Sequence, residues 1–399
     1  MNQTLYEAIG FFTEETRIMP CLSVTCGRAN SQEYALRGVM NEQGDPLRED
    51  ALYDLASLTK LFTGLMVMKL QEEGRLDLAA PITRYAPQFR YLDEVSVDSV
   101  LGFQIALITP QRVDTQPTAE AARAQLEAIR PQEVTGRHYS DMHSMVLRYV
   151  IEGAGGKKYD ELVKEKILQP LGMKDTYCIV PESERSRCIS YNGEHRLERG
   201  RYILRSDVLP GLPHDPKALR LWPECCGHAG MFSTRSDMAR LCQGLLKNEV
   251  ISRESLTYMA RNRTGRKLEE GVYTQYLGSQ CYVKHPQQYY SEIPVYMSDQ
   301  AIGLSGFTGH HLAVDPERGI FTLFLGNRVM NRLTVLVPES GSVSDYGLRP
   351  DGVGQIRWPD GRMVDSSVNY VHQKDEHLHR VIQSVLGLDR WSRAGSEWP

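Results

Sequence analysis

The residues with the clearest chemical potential open a segment of helical periodicity. Ser57 and Lys60 lie three positions apart in Ser57-Leu58-Thr59-Lys60, the only S-x-x-K in the chain. Residues at this spacing share one face of a helix, so the lysine amine can approach the serine hydroxyl. A serine hydroxyl is a weak nucleophile unless a neighbouring base activates it. The pair therefore predicts a nucleophilic serine; the alternative is an exposed helix start without a chemical role.

Lys60 can act as that base only if its pKa falls below the ordinary value of a lysine. We expect a partly buried pocket rich in positive charge to lower this pKa. The N-terminal end of the helix would also favour the anion that develops at Ser57.

A second element with acid/base potential is Tyr139-Ser140-Asp141, directly before another segment of helical periodicity. A phenol placed against the serine and the lysine can share the transferred proton, and Asp141 can accept a hydrogen bond from the lysine or the substrate. The alternative for Tyr139 is a core tyrosine whose hydroxyl is satisfied. We predict that Tyr139 and Lys60 handle the proton of Ser57.

Hydrophobic periodicity places both motifs at helix starts. The helix after Ser57 closes at Glu72-Glu73-Gly74, and a second covers about 141–153. Further helices are predicted over residues 5–15, 158–168, from 233–236 onward and over 373–386. Strands are predicted at residues 21–26, 33–40, 295–297, 311–314 and 319–325, with a hairpin joining the last two. For residues 338–370 we predict a long loop or a small hairpin.

This order of elements predicts two domains. A chain of 399 residues is longer than a single core usually supports. Residues 1–80 and 265–399 are expected to form an α/β sheet domain, and residues 81–264 a mainly helical domain inserted into it. Ser57 then comes from the first domain and Tyr139 from the second, so we expect the site between them.

Three further segments accompany the two motifs: Pro170-Leu171-Gly172-Met173-Lys174-Asp175-Thr176, Gly227-His228-Ala229-Gly230-Met231-Phe232-Ser233-Thr234 and Gly303-Leu304-Ser305-Gly306-Phe307-Thr308-Gly309. In this order, and with Tyr53-Asp54-Leu55-Ala56 before Ser57, the five segments resemble the penicillin-binding-protein-like serine hydrolases. This family includes class C β-lactamases, D-Ala-D-Ala carboxypeptidases and related esterases. The resemblance runs through most of the chain. It implies an α+β fold in which an antiparallel sheet is flanked by helices and carries an inserted helical domain.

The resemblance also assigns roles. It implies that Ser57 is the nucleophile, that Lys60 and Tyr139 are the acid/base pair and that Asp141 supports them. Leu304-Ser305-Gly306 would be the third element on the strand lining the site, where Ser305, Gly306 and Phe307 meet the substrate. The backbone amides of Ser57 and Phe307 would form the oxyanion hole that acyl transfer needs.

Two segments depart from the family pattern. The third element usually begins with Lys or His, where this chain has Leu304, and residues 100–104 replace a His-Thr-Ser-Gly stretch. The first change removes a cation or imidazole that helps to hold a substrate carboxylate. We therefore expect poor hydrolysis of β-lactams and of D-Ala-D-Ala, and a neutral ester, amide or thioester substrate.

Composition and charge limit the classes of function that remain. A net charge of −4 without a basic run argues against a nucleic-acid partner, and no apolar stretch suits a membrane span. Eight scattered cysteines without a C-x-x-C pair predict free, mostly buried thiols and a cytoplasmic location. The neighbours His310 and His311 would point to opposite faces of a strand and cannot chelate one ion together. Neither a metal nor an organic cofactor is implied, and residues 214–217 are expected to form a loop near the site.

Three functions share these motifs. The first is hydrolysis of a small-molecule ester or amide through an acyl-enzyme on Ser57. The second is acyl transfer from Ser57 to an alcohol or amine, which differs only in how well the site excludes water. The third is a catalytically degenerate binding protein, although a pure binder has no need for a lysine beside a serine. The sequence does not decide the oligomeric state.

Overall fold

The computed structural model describes residues 1–288 and 291–388 and has the predicted α+β class. The helices are α1 (Gln3–Gly10), α2 (Thr59–Glu72), α3 (Val97–Leu101), α4 (Ala119–Glu127), α5 (Asp141–Gly155), α6 (Tyr159–Val163), α7 (Pro216–Arg220), α8 (Arg235–Leu246), α9 (Arg253–Met259), α10 (Tyr370–His377) and α11 (His379–Val385). The strands are β1 (Cys21–Arg28), β2 (Ser31–Gly38), β3 (Tyr53–Asp54), β4 (Ala106–Ile108), β5 (Arg130–Gln132), β6 (Thr176–Tyr177), β7 (Glu194–Glu198), β8 (Arg201–Arg205), β9 (Phe232–Ser233), β10 (Lys267–Glu269), β11 (Val272–Tyr273), β12 (Ile302–Gly306), β13 (His310–Asp315), β14 (Ile320–Asn327), β15 (Arg332–Val337), β16 (Gln355–Arg357) and β17 (Met363–Ser366).

A five-stranded antiparallel sheet in the order β12-β13-β14-β1-β2 joins the two ends of the chain. All eight residues of β14 are buried because both faces of the sheet are covered. Phe321, Leu323 and Leu325 belong to the core that contains α2 and α8, whereas Ile320 and Phe324 belong to the core that contains α1 and α11. Burial on both faces explains why this strand reads as a continuous apolar run. The predicted hairpin of β13 and β14 is confirmed.

Helix α2 passes through the centre of the molecule. Eleven of its 14 residues are buried, so it is an interior helix. A 3-10 turn, Ala56–Leu58, precedes it and carries Ser57. Gly74 follows the helix with a φ of 68°, a conformation that glycine adopts without strain.

A second five-stranded sheet, in the order β16-β17-β15-β7-β8, was not predicted. It joins β7 and β8 from the middle of the chain to the segment after β14. The hairpin of β16 and β17 lies within residues 338–370, where a long loop or small hairpin was expected. These pairings connect residues far apart in sequence, which local patterns do not reveal.

Two predicted elements are corrected. Residues 295–297 form a turn and not a strand, because the amide of Met297 donates to the carbonyl of Pro294 and the apolar side chains fill a core. The last predicted helix is divided at Leu378 into α10 and α11. The domain boundaries expected at residues 80 and 265 stay a prediction.

The eight cysteines are free thiols, and seven of them are buried. In the part of the chain that the structure describes, no helix combines the length and the apolar character that crossing a membrane requires.

Candidate active site

The turn that carries Ser57 is stabilised by hydrogen bonds to the side chain of Asp54. This aspartate is fully buried, and its carboxylate accepts hydrogen bonds from the backbone amides of Ala56 at 2.9 Å and His214 at 2.7 Å. Burial raises the pKa of Asp54, although the two amides oppose the shift. Ala56 has a φ of 45°, which is strained for a residue with a Cβ. The chain thereby leaves β3, turns sharply and places Ser57, which is partly exposed, at the entrance to α2.

Lys60 lies directly behind Ser57, as the S-x-x-K spacing predicts. Its side chain is fully buried, and its Nζ donates to Ser57 Oγ at 2.9 Å, Asp141 Oδ1 at 2.8 Å and the carbonyl of His228 at 3.2 Å. Burial lowers the pKa of Lys60, but the Asp141 carboxylate and the Tyr139 phenol outweigh burial and hold the pKa above its usual value. The expected lowering of this pKa is therefore wrong, since the pocket places a carboxylate against the ammonium. In the resting protein, Lys60 is an ammonium that donates to the serine.

Tyr139 is fixed beside Lys60 by aromatic stacking. Its ring lies between those of Phe103 and Tyr282, at centroid distances of 5.5 and 5.4 Å and interplanar angles of 24° and 19°. Lys60 Nζ lies 4.9 Å from the centre of the Tyr139 ring. Phe103 belongs to the segment that departs from the family pattern, so one residue of that segment supports the tyrosine.

Asp141, at the start of α5, is shared by two lysines. Lys217 Nζ, from α7, donates to Asp141 Oδ2 at 3.0 Å, while Lys60 occupies Oδ1. Burial raises the pKa of Asp141, but Lys60, His228 and Lys217 together hold it well below the usual value. His228 Nε2 in turn lies 2.9 Å from Asp215.

Asp141, Asp215 and His228 each offer a potential metal-ligand atom within 4.8 Å of the others. Both Asp141 oxygens already accept hydrogen bonds from ammonium groups. Lys60 and Lys217 thus already supply positive charge at this cluster. The cluster therefore does not fit a metal-cation site.

The third element lies on β12 and passes close to the nucleophile turn. A Cβ on Gly306 would approach the carbonyl oxygen of Leu55 to 2.9 Å, so the contact requires glycine. Ser305 and Phe307 face the cavity, and the Ser305 hydroxyl donates to Glu292 Oε2 at 2.5 Å. Leu304 is fully buried in the core on the other face. The departure at Leu304 therefore lies inside the protein, and the charge of the cavity depends on other residues.

These groups border a cavity of about 500 Å³. Of the residues predicted from sequence, it is lined by Ser57, Tyr139, Asp141, Ser305, Gly306 and Phe307, whereas Lys60 lies behind the wall. The loop expected near the site also lines it, with His214, Asp215, Pro216 and Lys217. Six further lining residues were not predicted from sequence: Arg112, Arg137, Arg196, Arg205, Tyr282 and Arg328. No motif marks these residues, because they come from separate strands and loops.

The arrangement can support acyl transfer. A serine hydroxyl faces a cavity of small-molecule size, an ammonium donates to it, and the Tyr139 phenol lines the same cavity near that ammonium. Gly306 brings the amide of the next residue close to the serine turn.

Comparison with known proteins gives the same fold. The family model described as Beta-lactamase matches residues 14–333. Putative D-alanyl-D-alanine carboxypeptidases of Salmonella gallinarum and Salmonella typhi are each 28% identical over 305 residues, covering 70% of this chain and 70% of the relative.

Solved structures are similar at lower identity. The octameric penicillin-binding protein homologue from Pyrococcus abyssi has a TM-score of 0.61 at 22% identity, covering 81% of this chain and 72% of that one. EstCE1, a hydrolase with promiscuous acyltransferase activity, has a TM-score of 0.64 at 18% identity, covering 82% and 93%. A class C beta lactamase from Rhodobacter sphaeroides has a TM-score of 0.60 at 19% identity, covering 82% and 94%. At these identities the structural similarities show the fold alone.

Proposed function

The chain belongs to the Beta-lactamase family of serine hydrolases, and from that premise we propose that it cleaves a small ester or amide through an acyl-enzyme on Ser57. The observation that carries the proposal is the hydrogen bond of 2.9 Å between Lys60 Nζ and Ser57 Oγ at the wall of the cavity. A buried ammonium costs free energy unless it is paired and hydrogen-bonded. Its placement against a serine, paired with Asp141, suits catalysis better than packing.

The raised pKa of Lys60 shapes the proposed proton transfer. An ammonium cannot accept a proton, so Tyr139, in its phenolate form, is the proposed acceptor of the Ser57 proton. Lys60 would hold the serine hydroxyl and stabilise the phenolate by its charge, at 4.9 Å from the ring centre. Asp141 would keep Lys60 in place.

In the first step, Ser57 Oγ attacks the carbonyl carbon while its proton moves to Tyr139. The negative charge develops on the carbonyl oxygen, which the amides of Ser57 and Phe307 are proposed to bind. When the carbon–oxygen or carbon–nitrogen bond breaks, the leaving group takes the proton back from Tyr139. The acyl group then remains on Ser57 until water attacks the acyl carbon and gives its proton to the same tyrosine. The bond between the acyl carbon and Ser57 Oγ breaks, Oγ takes the proton back from Tyr139, and the acyl group leaves as an acid.

The cavity suggests a small-molecule substrate. Its volume of about 500 Å³ lies within the range of roughly 300–1,000 Å³ typical of small-molecule sites. We propose neither a nucleic acid nor a membrane as a partner, and no cofactor is needed for the proton transfers described.

The test is hydrolysis of p-nitrophenyl esters by the wild-type chain and by Ser57→Ala. Ser344→Ala is the matched control, because Ser344 is exposed and lies outside the cavity. We expect loss of turnover in Ser57→Ala and full turnover in the control. Equal turnover by all three proteins would contradict the role of Ser57.

The same acyl-enzyme can pass its acyl group to an alcohol or an amine. EstCE1, which has the same fold, is a hydrolase with promiscuous acyltransferase activity. Analysis of the products with added acceptor alcohols separates the two activities: an ester product indicates transfer, and the acid alone indicates hydrolysis.

A further inference from the structure

One cation at the cavity wall has no carboxylate partner among the described residues. Arg328, directly after β14, lines the cavity and donates through Nη2 to the carbonyl of Thr334 at 2.8 Å. Its Nε is sealed from solvent and has no hydrogen-bond partner within the described residues, where no carboxylate forms an ion pair with it. Burial lowers the pKa of Arg328 to about 10, which still leaves the guanidinium charged at neutral pH. A partly buried guanidinium that has an unsatisfied N–H and no carboxylate partner costs free energy, and an anionic ligand would offset that cost.

Two further guanidiniums reach the same cavity from the second sheet. Arg196 on β7 lies 2.5 Å from Glu194, and Arg205 on β8 lies 3.3 Å from the same carboxylate. Glu194 is fully buried and also accepts a hydrogen bond from Thr334 Oγ1 at 2.7 Å. Glu198 lies 3.7 Å from Arg196. Arg196 and Arg205 thus pair with Glu194, Arg196 also lies near Glu198, and Arg328 forms an ion pair with neither carboxylate.

The ring of Phe307 connects this group of arginines to the reaction centre. The guanidinium carbons of Arg196 and Arg328 lie 5.2 and 5.4 Å from its centroid, and the His214 ring stacks on it at 5.8 Å. The amide of Phe307 is the proposed oxyanion donor, so the side chain of this residue separates the arginines from the proposed oxyanion hole.

The acidic groups of the cavity do not neutralise this wall. Asp141 accepts hydrogen bonds from Lys60 and Lys217, and Asp215 pairs with His228. Asp114 pairs with Arg112. Glu194 and Glu198 offset two of the three guanidiniums, so one positive charge, that of Arg328, is left for a ligand.

We propose that Arg196, Arg205 and Arg328 form an anion subsite that binds a carboxylate or phosphate group of the substrate. Guanidiniums bind both groups through charge-assisted hydrogen bonds. The subsite rests on the proposed function and replaces the neutral substrate expected from sequence with an anionic one. Arg196 and Arg205 come from the second sheet and Arg328 follows β14, so none of the three belongs to the third element, where Leu304 carries no charge.

The first arm of the test measures binding without catalysis. In a Ser57→Ala background, inorganic phosphate is titrated by calorimetry into the otherwise unchanged protein and into Arg328→Gln and Arg196→Gln variants. We expect saturable binding that each variant weakens by about 10- to 100-fold, the range for a hydrogen bond to a charged group. Arg201→Gln is the matched control, because Arg201 is an exposed residue of β8 outside the cavity.

The second arm compares two esters with Ser57 intact. Mono-p-nitrophenyl succinate carries a carboxylate where p-nitrophenyl butyrate carries a methyl group. We expect a higher kcat/KM for the succinate, and a ratio of the two values that falls about 10- to 100-fold in Arg328→Gln and Arg196→Gln but not in Arg201→Gln.

The outcomes separate the sources of the anion. Phosphate binding with equal turnover of the two esters supports a phosphate group, and the converse supports a carboxylate. Absence of both effects, or equal effects in Arg201→Gln, overturns the subsite. If Arg328→Gln fails to fold, Arg196→Gln decides. If the wild-type protein turned over neither ester, the proposed function would be contradicted, while the phosphate titration would still decide the subsite.

Discussion

Substitution of Asp141 by asparagine tests the charge network behind the nucleophile. Asp141 accepts from Lys60 at 2.8 Å and from Lys217 at 3.0 Å, and Lys60 is fully buried. Removing one partner of a buried ion pair costs about 3–5 kcal/mol, because the other charge is left uncompensated. The Asp141 side chain is 25% exposed, so solvent screens part of this loss. For Asp141→Asn we therefore expect the free energy of unfolding to fall by about 2–3 kcal/mol.

Urea unfolding at neutral pH measures this change. Asp77→Asn is the control, because the pair of Asp77 with Arg84 spans 3.7 Å and both side chains are more than half exposed, at 57% and 60%. We expect its loss to stay below about 1 kcal/mol. Equal losses in the two variants would refute the network as described.

The same variant has a defined pH signature. The pKa of Asp141 is lowered in the folded protein, so its contribution to stability is present above the unfolded value of about 3.9 and is lost as the pH falls through the lower folded pKa. Asp141→Asn should therefore lose less stability than wild type on acidification below about pH 4. If Asp141→Asn lost as much stability on acidification as wild type, the acid-induced loss of stability would belong to other carboxylates.

Three further substitutions test the geometry around Ser57. Tyr139→Phe removes only the phenol oxygen and should lower ester turnover about 100-fold or more with the unfolding midpoint unchanged, and wild-type turnover would exclude Tyr139 as the proton acceptor. Gly306→Ala places a Cβ 2.9 Å from the Leu55 carbonyl, so thermal unfolding should show a loss of about 1–3 kcal/mol together with lower turnover; Gly361→Ala, where a Cβ meets nothing within 4 Å but φ is 91°, controls for the effect of the methyl group on a turn. Leu304→Lys buries an ammonium in the core and should lower the unfolding midpoint without raising β-lactam turnover, whereas a folded variant with higher β-lactam turnover would show that position 304 reaches the cavity.

The parts of the site that depend on local spacing were predictable from sequence. Ser57 and Lys60 meet because three residues make nearly one helical turn, and Asp141 is brought to the same lysine by the start of α5. The pKa of Lys60 was predicted in the wrong direction, because its sign depends on Asp141 lying 2.8 Å away, a distance that spacing along the chain does not give.

Residues that meet through the second sheet were not predictable. Arg196 reaches the cavity because β7 pairs with β15, a contact between segments far apart in sequence. Arg328 carries no motif, and its lack of a carboxylate partner among the described residues is visible only in three dimensions. Residues 295–297 show a different limit, since a short apolar run has the same composition in a buried turn as in a strand.

The most direct test of a nucleophilic Ser57 is intact-mass spectrometry after incubation with a fluorophosphonate, a p-nitrophenyl ester and a penicillin, with peptide mapping of any adduct. We expect a single covalent adduct with the fluorophosphonate on Ser57, absent from Ser57→Ala and retained in Ser344→Ala. An adduct on another residue, or no adduct with any of the three reagents, would contradict a nucleophilic Ser57 and favour a binding protein.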